Sequence, residues 1–196
     1  MASNGLAGDW AEQYKNWELR FTPYFEKLAK TPVLILCWGP GKNAPQEFYD
    51  KRIELRDDLM SSNPNNKAIT SEEIKQIDRR FTALTDIEAE ELQASEADLI
   101  LALLVSYKEL SGVYTELLLY RNVPGFYNKT IVLLPKLSGK ETKKLGFSAN
   151  VFDDFNKKNV IEYTQDEFAK CEKMRRFCRR RVESYRVKCL FRQPFP

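Results

Sequence analysis

The chain contains no histidine and only four cysteines, Cys37, Cys171, Cys178 and Cys189, none of them in a Cys-x-x-Cys pair. A zinc site built on these residues would need a ligand from elsewhere, so no metal is expected. Free thiols of a reducing compartment are the simpler reading. Long apolar runs are missing too. The longest, Ala97 to Val105, is broken by Asp98 and falls far short of the ~20 residues of a membrane-spanning helix. The N-terminus lacks the basic and apolar regions of a signal peptide, so a soluble cytoplasmic protein with no membrane partner is expected. Internal repeats and low-complexity linkers are absent, and 196 residues suffice for one domain with a terminal elaboration. A strong charge excess is also lacking, since the net charge is only +3.

That charge is unevenly placed. Residues 170–188 hold nine Lys or Arg and two Glu, a local +7, which leaves +3 − 7 = −4 for the rest. Such asymmetry marks a surface for nucleic acid, an acidic partner or another subunit. At the other end, Trp10, Tyr14, Trp17 and Phe21 recur at spacings of four, three and four, which puts them on one face of an amphipathic helix. That face packs on its own domain or serves a homo-oligomer or partner protein. Thr22-Pro23 is expected to bend or end the helix. Residues 1–30 are read as an N-terminal helical extension and 31–196 as a single nucleotide-binding-like α/β domain.

Val33 to Cys37 is a short, fully apolar run suited to a strand buried on both faces. Asn43 is a candidate helix cap and Pro45 suits a first turn, ahead of a charged helix from Gln46 to Met60 striped by Phe48, Ile53, Leu55 and Leu59. Ala68 to Thr70 suggests a brief strand, and Ser71-Glu72-Glu73 a capped helix start. Ala97 to Val105 is the clearest central strand, followed by a helix over Val113 to Arg121. Asn128-Lys129 introduces a strand over Thr130 to Leu134, Val151 to Asn156 suggests a short helix, and Val160 to Tyr163 an edge strand. Thr164 and Glu167 form a capping-box pattern opening one long helix to about Val187, with Cys171, Cys178 and Cys189 on its core face. Strands separated by helical stretches argue for an open, mostly parallel, Rossmann-like α/β sheet of about five strands, with the aromatic helix before it and the basic helix after it.

In such sheets ligands bind beyond the carboxyl ends of the strands, where strand order reverses. The loops after Cys37 and Val105 are the candidates, and they meet if the first and third strands are neighbours. The first loop fits G-x-G-x-x-A through Gly39, Gly41 and Ala44. Glycines there let backbone approach a phosphate, or serve a turn that merely needs them. The second loop carries Tyr107, Glu109, Ser111 and Gly112, with Glu116 one turn into the next helix. A carboxylate in that place points into the cleft and gains from the helix N-terminus when ionised, or is an ordinary surface Glu.

A strand ending in Gly-x-Gly, then Ser95-Glu-Ala-Asp-Leu-Ile-Leu-Ala102, then Ser111-Gly-Val-Tyr-Thr-Glu-Leu117, resembles the nucleoside 2-deoxyribosyltransferase-like families. The resemblance extends from about Pro32 to Pro135, and the wider group includes TIR and SLOG-type domains. It implies that Glu116 is the nucleophile or oxocarbenium-stabilising carboxylate in cleavage of an N-glycosidic bond. Trp38, Gly39 and Gly41 would then line the base and phosphate side, with Tyr107, Ser111 and Gly112 opposite. It further implies a hydrolase acting on NAD or a related nucleotide as substrate, with no separate cofactor, and an effector role in bacterial (antiviral) defence. Where the transferases carry Asp before Ser-Gly, this chain has Glu109 and Leu110. That departure favours hydrolysis, or binding alone, over deoxyribosyl transfer.

Two readings from other classes stay open. One is a non-catalytic nucleotide sensor or scaffold using the same cleft. The other is a nucleic-acid module through Arg175, Arg176, Arg179 and Arg180, whose rows alternate with an apolar seam that also suits a solvated helix face.

Overall fold

The computed structural model describes residues 5–77, 84–105, 112–136 and 154–192. Helix α1 runs over Gly5–Lys30 and is followed by strand β1, Val33–Trp38. Then come α2 (Gln46–Ser62), β2 (Asn66–Thr70), α3 (Ser71–Ile77), α4 (Asp86–Glu96) and β3 (Leu99–Leu103). The second half holds α5 (Val113–Leu119), α6 (Phe126–Lys129), β4 (Thr130–Pro135), β5 (Val160–Tyr163), α7 (Gln165–Lys170) and α8 (Glu172–Arg192). The strands form one sheet in the order β2-β1-β3-β4-β5, and every pairing is parallel. This is the expected open Rossmann-like α/β architecture.

The pleat sorts the strand residues between two cores. Val33, Ile35 and Cys37 pack with Leu55 and Leu59 of α2, Phe168 of α7, and Met174, Cys178 and Val182 of α8. Leu36 and Trp38 face the other way, onto Ala94, Leu117, Tyr120 and Phe126. Both faces of the sheet are thus covered, which is why its central strands β1, β3 and β4 are almost wholly apolar, whereas the edge strands β2 and β5 carry polar residues.

Several local elements differ from the sequence expectation. Helix α1 passes through Pro23 to Lys30 instead of ending there. Proline removes one backbone donor, and the Thr22 hydroxyl donates to Glu18 O (2.7 Å) where the helix would bend. The helix end is capped from elsewhere: Asn63 Nδ2 and Asn65 Nδ2, in the turn after α2, both donate to Ala29 O. Pro45, not Asn43, is the N-cap of α2, with no side-chain cap bond. The Thr70 hydroxyl, not Ser71, accepts from Glu73 N at the start of α3. The helix expected over 113–121 ends at Leu119 in a 3-10 turn over Tyr120–Asn122, and a short helix, α6, precedes β4. Residues 154–156 are turn and bend rather than helix, while 151–153 lie outside the described residues.

The Thr164–Glu167 capping box forms, yet the helix it opens stops at Lys170. Cys171 adopts a left-handed conformation (φ 58) and joins α7 to α8. Cys171 and Cys178 are buried in the core, Cys189 only partly, and all four cysteines are free thiols. Among the described residues no helix is long and apolar enough to cross a membrane, and no His/Cys/Asp/Glu group has the composition of a metal site.

Candidate functional site

Strands β1 and β3 lie side by side, with Cys37 opposite Leu101 and Trp38 opposite Ala102. Strand order runs outward to β2 on one side of this pair and to β4 on the other, so the topological switch point lies between them. The loops after Trp38 and after Leu103 therefore leave the sheet side by side. The second is anchored at its root, where Leu104 N donates to Leu133 O (3.0 Å) and the buried Tyr163 hydroxyl donates to Leu104 O.

Glu116 lies in the first turn of α5, its N–H donating to Gly112 O (3.0 Å). The next residue, Leu117, is buried in the core and fixes which way the helix faces. Glu116 is half-buried as a residue, but its Oε2 is shielded from solvent and has no hydrogen-bond partner among the described residues. Burial, reinforced by the negative charges of Glu90 on α4 and Glu72 on α3, pushes its carboxyl up to about 8, against the opposing pull of Arg52 on α2. At neutral pH Glu116 is mainly a carboxylic acid. The expected gain of an ionised group at a helix N-terminus is outweighed by desolvation.

Four helices thus each direct one ionisable side chain to the ends of β1 and β3. Arg52 organises them and is the residue that motif reading missed. It is 4% exposed. Its Nη2 donates to Glu72 Oε1 (2.8 Å), its Nη1 to Gly39 O (3.4 Å), and its guanidinium lies 5.4 Å from the Tyr49 ring centre. Its Nε has no partner among the described residues. Burial raises the Glu72 carboxyl, but the hydrogen bonds from Arg52, its own backbone N–H and Thr70 prevail and hold it below its usual range. A signal was available: Phe48, Arg52, Leu55 and Leu59 follow the four-three-four spacing of one helix face, so a charge interrupts an apolar stripe.

The other sequence candidates fall in different places. Gly39 leaves room for Arg52, because a β-carbon there would lie 2.7 Å from Arg52 Cδ and 3.4 Å from Leu103 Cβ. Gly41 starts a turn closed by Ala44 N donating to Gly41 O (3.0 Å), and a β-carbon on it would make only an ordinary contact with Glu72. Gly112 is exposed with open space where a β-carbon would be. Trp38 is 1% exposed, its ring packed on Tyr120 (5.5 Å) and Phe126 (6.1 Å). It is a core residue that offers no open ring face, because the pleat directs position 38 onto the helices below. Tyr107 and Ser111 lie outside the described residues. Tyr120, adjacent to Trp38, donates to Glu90 Oε2 (3.0 Å) and so ties α4 to this site. Cys37 is no nucleophile, since burial pushes its thiol up to about 12 despite Arg52 and Arg56 nearby.

Asp98 is a bracket between elements. Its Oδ2 accepts from Leu34 N (2.8 Å) and its Oδ1 from the Tyr185 hydroxyl (2.7 Å), at the amino end of the sheet away from Glu116.

On α8 the arginines are largely engaged with acids. Arg179 pairs with Asp58 through Nε (2.8 Å) and Nη2, Arg175 lies 3.6 Å from Glu54, and Arg176 bonds Glu172 (3.0 Å). Two of these carboxylates belong to α2, so part of the basic face holds α8 against α2. Arg180 is exposed.

Compared with known proteins, the chain matches no family model and no curated protein sequence.

Proposed function

We propose that the ends of β1 and β3 take a nucleoside or nucleotide, NAD included, and that Glu116 acts on its N-glycosidic bond. The observation that carries this reading is the Glu116 carboxyl itself, shielded, unpartnered among the described residues and poised near 8 at the switch point of a parallel sheet. The resemblance around Ser111-Gly-Val-Tyr-Thr-Glu-Leu117 supports the same bond and the same residue, and it is also the source of the suggested defence role.

Protonated Glu116 suits a base that would otherwise depart as an anion: its proton moves to the base nitrogen as the C1′–N bond breaks, water adds at C1′, and the proton that water sheds returns to the Glu116 carboxylate. Nicotinamide leaves NAD neutral and needs no proton. There the required form is the carboxylate facing the oxocarbenium-like centre, and a cationic pyridinium bound nearby favours that ionisation. Arg52 serves as a positioning residue that holds Glu72 and the Gly39 backbone. The test is release of free base from a panel of NAD, nucleosides and nucleotides by the full chain. Glu116→Gln should lose at least ~100-fold in turnover, and undiminished turnover would overturn its role.

A binding-only sensor remains the second reading, favoured by the neutral state of Glu116, which makes it a hydrogen-bond donor as it stands. It requires stabilisation by a nucleotide without any base released.

A further inference from the structure

Helix α1 carries an apolar seam that is half-covered at Phe21 and Leu28 and open along most of the rest. Trp10 is 70% exposed, Tyr14 65%, Trp17 49% and Phe25 56%. Along the chain, Trp10, Tyr14, Trp17, Phe21, Tyr24 and Leu28 follow the spacing four-three-four-three-four without a break. That is an unbroken seven-residue repeat from Trp10 to Leu28, a pattern that also suits helices pairing along their length. The rings are already ordered against each other: Trp17 lies 6.3 Å from Tyr14, 4.9 Å from Phe21 and 6.2 Å from Phe25. Pro23 falls off the seam, so the missing donor does not interrupt it.

We propose that α1 pairs with α1 of a second copy of this chain through that aromatic seam. At about 200 Å² per aromatic side chain, Trp10, Tyr14, Trp17 and Tyr24 of the seam with Phe25 on its flank leave about 550 Å² open per copy. Complete burial of these rings between two helices would remove about 1,100 Å², an upper bound that reaches the ~1,000 Å² of a specific interface. Charge argues against a lipid surface as occupant. Lys15, Arg20, Lys27 and Lys30 are balanced by Asp9, Glu12, Glu18 and Glu26, so the helix has no cationic face for anionic headgroups. The base of α1 is pinned through Ala29 O, which leaves the seam projecting from a fixed root.

Sedimentation velocity of the full chain across roughly 1–200 µM tests this, with the folded state of each variant checked by near-ultraviolet circular dichroism. The wild type should sediment at twice the mass of one chain at the upper concentrations. Tyr14→Glu/Trp17→Glu should weaken association at least tenfold, while Leu19→Glu, exposed on the opposite side of the same helix, should leave it unchanged. A wild type that stays monomeric throughout overturns the proposal. So does a dimer indifferent to the seam variant, and so does a monomer that co-sediments with phosphatidylcholine–phosphatidylserine vesicles.

Discussion

Arg52 occupies the space that any side chain at position 39 would need, with its Cδ 2.7 Å from where a β-carbon would sit. Glycine at one position and arginine at the other form one requirement, and the guanidinium so placed holds Glu72 and touches the Gly39 carbonyl. The first glycine of the loop is explained by this packing before any phosphate is invoked.

Gly39→Ala should therefore destabilise the chain by about 1–3 kcal/mol, as overpacking does. In an Arg52→Ala background the same change should cost markedly less, with an interaction energy of at least ~0.5 kcal/mol. Urea unfolding of the two single variants and the double variant measures this, and equal costs in both backgrounds would remove the coupling.

Glu116 also governs a pH dependence of stability. Its folded value is raised to about 8 from 4.5, so between these values the folded chain holds a proton that the unfolded chain releases. The stability it contributes is complete below about 4.5 and is lost as pH rises towards 8. Glu116→Gln should melt higher than wild type at pH 8.5 and nearly level with it at pH 5. Parallel curves for the two proteins at all pH values would contradict the assignment.

If Glu116 works as an acid, kcat/KM for a nucleoside with an uncharged base should fall above about pH 8, whereas with NAD it should rise towards that value. Rate profiles over pH 6–9.5 on both substrates separate the two roles.

Arg186 is fully buried on α8, where it bonds Asn66 Oδ1, Thr31 O (3.0 Å) and Glu183. It ties the last helix to the amino ends of β1 and β2. Arg186→Met keeps most of the volume but strands the buried Asn66 Oδ1 and the part-buried Thr31 O, which should cost about 1–3 kcal/mol. Denaturant midpoints check it, and a loss under ~1 kcal/mol would mean that the acceptors find other partners.

Arg179 and Arg180 are neighbours with unequal duties. Asp58, the partner of Arg179, has a side chain only 7% exposed. Arg179→Glu should cost about 1 kcal/mol or more by opposing that carboxylate, while Arg180→Glu, on the open surface, should stay within ~0.5 kcal/mol. Equal effects in thermal unfolding would show that Arg179 does not staple α8 to α2.

The sheet was legible in the chain because strands buried on both faces must be apolar throughout, as Val33–Cys37 and Leu99–Val105 are. Lengths too great for hairpins then made the sheet parallel, and Gly39, Gly41 and Glu116 fell at its carboxyl ends for the same reason. The capping box at Thr164–Glu167 was equally plain, since it involves only neighbouring residues. The break at Cys171 and the survival of α1 beyond Pro23 were not, because local propensity yields to core packing in one case and to Asn63 and Asn65 in the other.

The site divides along the same line. Position along the chain determined that Glu116 follows the third strand. Only the tertiary structure brought Glu90, Glu72 and Arg52 from three other helices around it, and a carboxyl's protonation depends on that surrounding charge and dehydration rather than on its own segment. The pleat likewise turned Trp38 into the core, while the packing of α2 brought Arg52 to the strand ends. Sequence placed a carboxyl beside two glycines after the strands. Folding made it an acid, because burial penalises its charge more than one nearby arginine restores.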